Sequence, residues 1–353
     1  MKKLKLAALT LPILFSVNTL ASTFACTHFQ IESPDGSIIN ARSMEYGIDT
    51  KTWKSLPANF VIHKKLSVLN DTVKKSKLGY AGIETYEGIL TEGVNEKGLS
   101  MAILWFTEGQ YPENLNKENS IKNTDVMKWA LSQFDNADEV IANLKKMNVY
   151  APIYQVFGGA LPLHYSITDR HGKNYVVEFI DKEMKIFDNT ENRVLTNDPR
   201  LDKQLDKLKL FYNNNPNLKD INTSGELNSL PGGYGSQERF IKISVLRNLL
   251  PTPESNTTAI NQSISLLNNV DYPRGVPAYE ADAKAGRGDS KQETSWISII
   301  DLNKMKYYYR TTTNYNVKVI DLDKIGFDRD VIFSLYDDQQ SFIDVTPKLT
   351  MPN

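Results

Sequence analysis

The sequence predicts an α+β layered sandwich that folds as one domain. Segments with the two-residue alternation of strands and segments with helical spacing form separate blocks, in the order strands, helices, strands, helices, strands. Because strands and helices do not alternate singly, this order argues against a doubly wound parallel sheet. The chain has 41% apolar and 24% charged residues, which is typical of a globular protein. No internal repeat or low-complexity linker divides it.

The first block begins with a predicted β-hairpin. Residues 27–48 alternate around a Pro-Asp-Gly turn at 34–36, so Cys26 lies at the start of the first strand and Arg42 lies on the second. Further strands are predicted over residues 59–69 and 77–106.

The later blocks follow in order. Residues 201–229 are rich in Asn and Lys with little periodicity, which predicts a long loop, and a polar tail is predicted after residue 313. The predicted elements are two helices within 126–147, a meander of strands over 163–196, helices over 240–249 and 257–269, and strands over 296–313.

The first residues have the three parts of a secretory signal peptide. The basic segment Met1–Lys5 precedes an apolar stretch that runs to about Ala21, and small residues precede a cleavage position after Ala25. Polar residues interrupt the apolar stretch, which is shorter than the roughly 20 apolar residues of a membrane span. The sequence therefore predicts removal of residues 1–25, a periplasmic or secreted protein without stable membrane insertion, and one domain over residues 26–353.

Charge and residue content exclude several classes of function. The formal net charge is −1, becoming −4 without the three lysines of residues 1–25, and no long basic run indicates a nucleic acid partner. The four histidines lack metal-ligand spacing, and neither a Walker loop nor a dinucleotide fingerprint occurs. His164 and His171 are accordingly predicted to be structural. We expect no metal or organic cofactor.

The chemistry that remains depends on Cys26, the only cysteine. It cannot form an intramolecular disulfide, and an unpaired thiol in an exported protein invites a functional explanation. Cleavage after Ala25 would give Cys26 a free α-amine, which titrates near pH 8 and can accept the thiol proton. A guanidinium nearby favours the thiolate, and the hairpin brings Arg42 within reach. The pattern predicts that Cys26 is a nucleophile.

Two other interpretations of Cys26 remain open at this point. A lone cysteine is often a small buried apolar side chain. Bacterial lipoproteins also begin at a cysteine, usually with Leu three residues before it and small residues between, whereas Thr23 and Phe24 precede Ala25 here. The alternative to a hydrolase is therefore an envelope lipoprotein with a binding role and no catalysis. The two exclude each other because a thioether cannot attack a carbonyl.

Four ordered segments carry a family resemblance. They are Cys26-Thr27 with Arg42–Glu45, Glu92–Leu99, Val194–Pro199, and Leu230–Gly233 followed by Arg239–Ile241. Together they resemble the choloylglycine hydrolase family, which includes bile salt hydrolases and penicillin V acylases of the N-terminal-nucleophile (Ntn) superfamily. The resemblance implies a four-layer αββα sandwich, hydrolysis of the linear C–N bond of a small acyl amide, and a homotetramer.

The resemblance also implies roles for individual residues. Cys26 corresponds to the nucleophile and Arg42 to the arginine beside its sulfur. Asn197 corresponds to the asparagine whose side-chain amide donates to the oxyanion, a contact worth roughly 3–4 kcal/mol of barrier. Arg239 corresponds to the arginine that completes the polar network around the nucleophile.

Two positions depart from the family pattern. Glu45 stands where an aspartate commonly orients the terminal amine, and it is one methylene longer. Trp105 stands where bile salt hydrolases have asparagine. Its backbone N–H would serve the oxyanion hole, and its indole would shape either the acyl pocket or the core. Met44 is expected to be a further substrate-binding residue. The tryptophan at position 105, together with the predicted signal peptide, resembles the Gram-negative branch of the family. The resemblance implies that the substrate is an amide of the penicillin V, conjugated bile salt or N-acyl homoserine lactone type, and it favours aromatic or fatty acyl groups.

Overall fold

The computed structural model describes residues 25–48, 52–67, 75–113, 118–154, 159–219, 227–277, 291–336 and 340–345. The strands are β1 (Ala25–Glu32), β2 (Ile38–Ile48), β3 (Asn59–His63), β4 (Tyr80–Glu84), β5 (Leu90–Asn95), β6 (Ser100–Trp105), β7 (Ser120–Lys122), β8 (Asn148–Tyr150), β9 (Ile153–Tyr154), β10 (Gly159–Ala160), β11 (Leu163–Thr168), β12 (Asn174–Ile180), β13 (Glu183–Asp188), β14 (Val194–Leu195), β15 (Val276–Pro277), β16 (Lys291–Asp301), β17 (Lys306–Thr311), β18 (Asn314–Asp321) and β19 (Val331–Ser334). The α-helices are α1 (Val126–Gln133), α2 (Ala137–Leu144), α3 (Leu201–Asn214), α4 (Ser236–Leu249), α5 (Asn256–Asn268) and α6 (Leu322–Ile325).

Two large antiparallel sheets contain most of the strands. The first has the order β14-β1-β2-β16-β17-β18, with β15 paired to β16, and the second has the order β13-β12-β11-β6-β5-β4-β3-β19. The two sheets face each other where β1 meets β6. Helices α4 and α5 pack on β1 and β2, whereas α1 packs on β5 and β6. This is the αββα layering that the resemblance implies, and the predicted fold class is confirmed.

Strands β1 and β2 form the predicted hairpin in the middle of these layers. Residues 26–31 of β1 and 38–45 of β2 are all buried, because one face of the hairpin meets the second sheet and the other meets helices. A chain segment buried on both faces can place a polar side chain in a site on either side of the sheet. The rest of the predicted signal peptide, residues 1–24, lies outside the described residues.

The predicted loop over residues 201–229 is wrong for its first half, which forms helix α3. The buried stripe of α3 consists of Leu201, Gln204 and Leu208. The apolar residues at positions 201, 205, 208 and 211 nevertheless have the spacing of an amphipathic helix, a signal that the predicted loop overlooked among the many Lys and Asn residues. Gln204 is buried because its amide donates to the Pro199 carbonyl oxygen at 2.5 Å and its carbonyl oxygen accepts from the Thr196 hydroxyl at 2.8 Å.

The predicted polar tail is also wrong, because β18, α6 and β19 follow residue 313 and β19 pairs with β3. In β18 the apolar side chains of Tyr315, Val317 and Val319 are the exposed ones. Their alternation with polar residues is the sequence pattern of a strand, which the predicted polar tail overlooked, and the structure is unusual only in leaving the apolar side chains exposed. Among the residues that the structure describes, no helix has the length and apolar character needed to cross a membrane.

Candidate active site

The only cysteine lies at the start of β1, on the face that meets the second sheet. In the hairpin register Cys26 is opposite Met44 and His28 is opposite Arg42, so these four side chains share one face of the sheet. Cys26 Sγ lies 3.5 Å from Met44 Sδ and 3.6 Å from Arg42 Nη2. Cys26 is only 1% exposed. Its sulfur is therefore a buried group with a cation beside it.

Arg42 is held in place by the second sheet. Its Nη2 donates to the Ile103 carbonyl oxygen at 2.8 Å, and its Nη1 donates to the Thr91 carbonyl oxygen. The same Nη2 lies 3.3 Å from Met44 Sδ, and Nη1 lies 3.9 Å from Glu92 Oε2. Because both carbonyls belong to β5 and β6, the guanidinium bridges the two sheets while one edge faces the sulfur.

Glu92 is a buried carboxylate that the sequence analysis did not assign. Its Oε1 accepts from Trp296 Nε1 at 2.8 Å, and its Oε2 accepts from Ser298 Oγ at 2.6 Å. It thus provides the nearest negative charge to the buried Arg42 guanidinium. An acidic residue in the middle of the short predicted strand segment Leu90–Val94 is the only sequence signal that pointed to it.

The backbone of Cys26 is held from the helix side of the sheet. Its N–H donates to Asn197 Oδ1 at 2.7 Å, and Arg239 Nη2 donates to the same oxygen at 2.8 Å. Arg239 Nη1 donates to the Cys26 carbonyl oxygen at 2.6 Å and to Thr27 Oγ1 at 2.7 Å. Because Ala25 precedes Cys26, this nitrogen is a peptide amide here, and it would become an α-amine if the chain were cut after Ala25.

Asn197 connects this network to the second sheet. Its Nδ2 donates to the Trp105 carbonyl oxygen at 2.9 Å, so one of the two amide hydrogens is engaged there. Asn197 lies between β14 and α3 and precedes a cis Asp198–Pro199 bond. The predicted oxyanion donor therefore has a second role that the sequence did not indicate, because its Oδ1 accepts from the nitrogen of Cys26.

Glu45 lies apart from the sulfur. It follows Met44 on β2, so its side chain points to the opposite, helix-facing side of the sheet, and its Cα is in register with Ala25. Its Oε1 accepts from Thr294 Oγ1 at 3.0 Å, while its buried Oε2 has no hydrogen-bond partner among the described residues. Burial raises the pKa of Glu45 to about 7, although the Arg239 guanidinium acts in the opposite direction.

The surroundings shift the pKa values of the groups on the cysteine face. Burial raises the pKa of the Cys26 thiol, the Arg42 guanidinium opposes that shift, and the Glu45 carboxylate adds to it. Burial and the Arg42 charge together lower the pKa of His28 to about 3. His28 is consequently neutral at physiological pH, and the thiol needs a base to become a nucleophile.

Two cavities lie beside the start of β1, and Trp105 lines both. The first, which we call the apolar pocket, has a volume of about 30 Å³ and lies on the sulfur side. The second, which we call the polar cleft, has a volume of about 600 Å³ and lies on the side of the Cys26 nitrogen. The apolar pocket is lined by residues that include Cys26, Met44, Ile89, Ile103, Leu161 and Leu163. The polar cleft is lined by residues that include Ala25, Asn197, Asp198, Glu238 and Arg239.

The structure therefore brings most of the predicted site together. Six predicted residues line one or both of the cavities, whereas Glu45 lines neither. Trp105 is 9% exposed and belongs to a cavity wall as well as to the core. The six are Cys26, Arg42, Met44, Trp105, Asn197 and Arg239.

His164 lies outside this site. Its Nδ1 is 3.2 Å from Glu178 Oε1, and its ring stacks on Phe106 with centroids 4.9 Å apart. The same carboxylate accepts from the Leu201 N–H at the first residue of α3. These contacts fit the structural role predicted for His164.

The layered fold and the polar network around the start of β1 define an enzyme of the amide hydrolase class. The chain belongs to the choloylglycine hydrolase family: the sequence pattern described as "Linear amide C-N hydrolases, choloylglycine hydrolase family" matches residues 26–334. The protein is thus a hydrolase of linear amide C–N bonds.

Characterised relatives agree with this assignment. The chain is 29% identical over 319 residues to a bile salt hydrolase/transferase of Clostridium perfringens, covering 86% of this chain and 94% of the relative. It is 26% identical over 355 residues to a penicillin V acylase of Pectobacterium atrosepticum, covering 92% and 88%. A solved mutant of the conjugated bile acid hydrolase from Clostridium perfringens superposes with a TM-score of 0.75 at 26% identity, covering 91% of this chain and all of that chain.

Proposed function

We propose that removal of residues 1–25 makes Cys26 the N-terminal nucleophile of an acyl amide hydrolase. The observation that carries the proposal is that both reacting groups of Cys26 have dedicated partners. Arg42 lies 3.6 Å from its sulfur, and Asn197 accepts from its nitrogen at 2.7 Å. The family match also begins at residue 26, which supports cleavage at that position.

The first chemical step forms an acyl-enzyme. The thiol proton passes to the α-amine while Sγ of Cys26 attacks the substrate carbonyl carbon. The oxyanion of the tetrahedral intermediate accepts from the second Nδ2 hydrogen of Asn197 and from the Trp105 backbone N–H. The C–N bond then breaks, the α-ammonium gives its proton to the leaving nitrogen, and the amine departs from a thioester.

The second step regenerates the enzyme. Water attacks the thioester carbonyl while the α-amine accepts one of its protons, and the C–S bond breaks. The proton returns to the sulfur and the carboxylic acid is released. One water is consumed for each amide, and the α-amine acts as base and acid in both halves.

Glu45 enters this mechanism as a buried countercharge to the α-ammonium. Its Cα is in register with Ala25, and one of its oxygens lacks a hydrogen-bond partner among the described residues while Ala25 is still attached. A new ammonium at Cys26 would favour the ionised carboxylate, because opposite charges in a buried site lower the pKa of the acid.

The substrate is proposed to be an acyl amide of the penicillin V, conjugated bile salt or N-acyl homoserine lactone type. The test is a panel of these amides read as release of the free amine from the purified mature protein. Cys26→Ser should abolish release, because a hydroxyl is a far weaker acid than a thiol and the site, with the Arg42 guanidinium beside the sulfur, is arranged for a thiolate. Wild-type turnover by that variant would overturn the mechanism.

Export and assembly are part of the same proposal. We infer a periplasmic or secreted homotetramer, supported by the signal-peptide pattern of residues 1–25 and by resemblance to the family. Size-exclusion chromatography with light scattering measures the assembly, and cell fractionation measures the location. A monomer, or a protein confined to the cytoplasm, would contradict these two parts.

An envelope lipoprotein is the second candidate, favoured by the position of Cys26 at a cleavage site. Intact-mass measurement of the protein from membrane and soluble fractions separates the two. A mass that begins at unmodified Cys26 supports the hydrolase. A lipidated N-terminus would rule it out, because the sulfur would then be a thioether.

A further inference from the structure

A third cavity, which we call the outer groove, adjoins the apolar pocket. It has a volume of about 590 Å³, and aromatic rings and prolines form much of its wall. These residues are Tyr111, Pro112, Tyr150, Pro152 and Pro162. Among the described residues, the outer groove and the apolar pocket have one lining residue in common, which is Leu161. Leu161 therefore belongs to the wall between the two cavities.

The apolar pocket is too small for the whole acyl half of a substrate. In the proposed function, on which this inference rests, the acyl carbon becomes bonded to the Cys26 sulfur, and Cys26 lines the apolar pocket. The acyl half must therefore begin in this pocket. The pocket has a volume of about 30 Å³, which is room for roughly two or three water-sized groups. An aromatic, steroid or fatty acyl group is several times larger, so most of it must lie beyond the pocket.

Two cavities adjoin the apolar pocket, the polar cleft at Trp105 and the outer groove at Leu161. The nitrogen of Cys26 lies beside the polar cleft, because its acceptor Asn197 lines that cleft. Since the α-amine gives its proton to the leaving nitrogen, the amine half belongs in the polar cleft. The outer groove is left for the acyl half, and its tyrosine and proline surfaces suit a hydrocarbon.

The backbone around Leu161 is fixed by hydrogen bonds. The Leu161 carbonyl oxygen accepts from Asn123 Nδ2 at 2.7 Å, and the Pro162 carbonyl oxygen accepts from the Phe106 N–H at 2.8 Å. Leu161 is itself buried. Because the segment is anchored in this way, rotation of the Leu161 side chain between rotamers is the smallest movement that would open a passage between the two cavities.

We propose that the outer groove binds the distal part of the acyl group and that Leu161 is the specificity-determining residue at its entrance. Acyl chains that are long enough to pass Leu161 gain apolar contact in the groove, whereas shorter chains do not. Each further methylene that reaches the groove should raise kcat/KM by about two- to fourfold. The enzyme therefore selects its substrates by the length of the acyl half.

The test joins the amine of the best substrate in the amide panel to linear acyl chains of increasing length: butanoyl, hexanoyl, octanoyl and decanoyl. Release of the free amine by the mature wild-type protein gives kcat/KM for each chain. We expect kcat/KM for the decanoyl amide to exceed that for the butanoyl amide by about tenfold or more, because only the longer chain reaches the groove.

Two variants locate this preference in the molecule. Leu161→Phe enlarges the side chain at the entrance and should lower the ratio of decanoyl to butanoyl cleavage by about fivefold or more. Ala160→Glu places a charge in the groove at an exposed residue that does not line the apolar pocket, and it should lower the ratio by about tenfold. The matched control is Ala142→Glu, the same substitution at an exposed position of α2, which should leave the ratio unchanged.

The outcomes separate this inference from the proposed function. Equal cleavage of all chain lengths by the wild type overturns the inference and leaves the cysteine mechanism standing. The same holds if Ala160→Glu changes the ratio no more than Ala142→Glu does. An unchanged ratio in Leu161→Phe, with a wild-type melting temperature, overturns the role of Leu161. Failure of every amide in the panel would instead overturn the proposed function and this inference with it.

Discussion

Two buried arginines approach Cys26 from opposite faces of the same sheet, and they do different things. Arg42 comes from β2, lies between the sheets and contacts the sulfur. Arg239 comes from α4, lies on the helix side and contacts the backbone of residue 26 and the Asn197 amide. Both are 1% exposed. The comparison teaches that one guanidinium sets the charge environment of the Cys26 sulfur, whereas the other fixes the position of the residue.

Each arginine also has a buried carboxylate on its own side. Glu92 lies 3.9 Å from Arg42 between the sheets. On the helix side, the charge of Arg239 acts to lower the pKa of Glu45. A buried charge without compensation is costly, so each pair is expected to depend on both members. The two sides can therefore be perturbed separately.

The largest effect is expected from Arg42→Leu. Removing the cation that opposes the effect of burial raises the pKa of Cys26 further, and kcat/KM should fall about 100-fold or more. The pH profile of iodoacetamide alkylation measures the thiol pKa independently of turnover. Arg42→Lys is the matched control: it keeps a positive charge, so the thiol pKa should rise less than in Arg42→Leu. An unchanged alkylation profile in Arg42→Leu would show that the two arginines do not differ in this way.

Arg239→Gln should have a smaller effect on the thiol and a clear effect on turnover. Arg239 is the weakest of the influences identified on the pKa of Cys26, but it donates to the carbonyl oxygen of that residue. Under the proposed mechanism, displacement of the Cys26 sulfur and α-amine should lower kcat by about 10- to 100-fold. The thiol pKa read from the pH profile of alkylation should change less than in Arg42→Leu. A shift as large as that of Arg42→Leu would contradict the division of roles.

The double variant Arg42→Leu/Glu92→Leu tests the pairing between the sheets. Arg42→Leu alone leaves a buried carboxylate uncompensated and should cost about 3–5 kcal/mol of unfolding free energy. Removing Glu92 as well should recover about 1–3 kcal/mol of that loss. Urea denaturation of the two single variants and the double variant completes the cycle. Strict additivity would mean that Glu92 does not compensate Arg42.

The smallest effect concerns His28, which lies opposite Arg42 in the hairpin. Its pKa is lowered from 6.5 to about 3, so the folded state disfavours the proton relative to the unfolded chain. The contribution of neutral His28 to the free energy of unfolding is fully present above the pKa of the unfolded chain. It is lost as pH falls from 6.5 toward 3. Between neutral pH and about pH 5, the wild type should lose about 2 kcal/mol more than His28→Asn.

Denaturation of both proteins at several pH values checks the His28 effect. The two proteins are compared by the slope of their unfolding free energy against pH, because the change in packing shifts that free energy by the same amount at every pH. Parallel pH dependences for the wild type and His28→Asn would contradict the prediction.

Much of the cysteine face could be predicted from the sequence because it is local. A hairpin with a short turn fixes its own register, so Arg42 had to return beside Cys26. The family motifs added Asn197 and Arg239 as members of the site. What they could not add was which atoms those residues use, because that depends on how α4 packs on β1 across more than 200 residues of chain.

Glu45 and α3 show where prediction from the sequence stopped short. Alternation along β2 sends the Glu45 side chain to the helix side of the sheet, away from the sulfur, and its role in orienting the amine stays a prediction. Helix α3 has apolar residues at helical spacing, but its buried Gln204, which contacts the Asn197 region, has no apolar signature. Polar packing of this kind is decided by tertiary partners, which a periodicity cannot reveal.

The hydrogen bond from the Cys26 N–H to Asn197 is made while that nitrogen is still an amide. Under the proposed mechanism the uncut chain is therefore a latent enzyme, with its pocket assembled but its proton acceptor withheld, since an amide nitrogen is not basic. Cutting one peptide bond would supply the base without rebuilding the site. Activity would then begin only when the processing protease cuts the chain. A precursor that has folded early would not hydrolyse amides in the compartment where it is made.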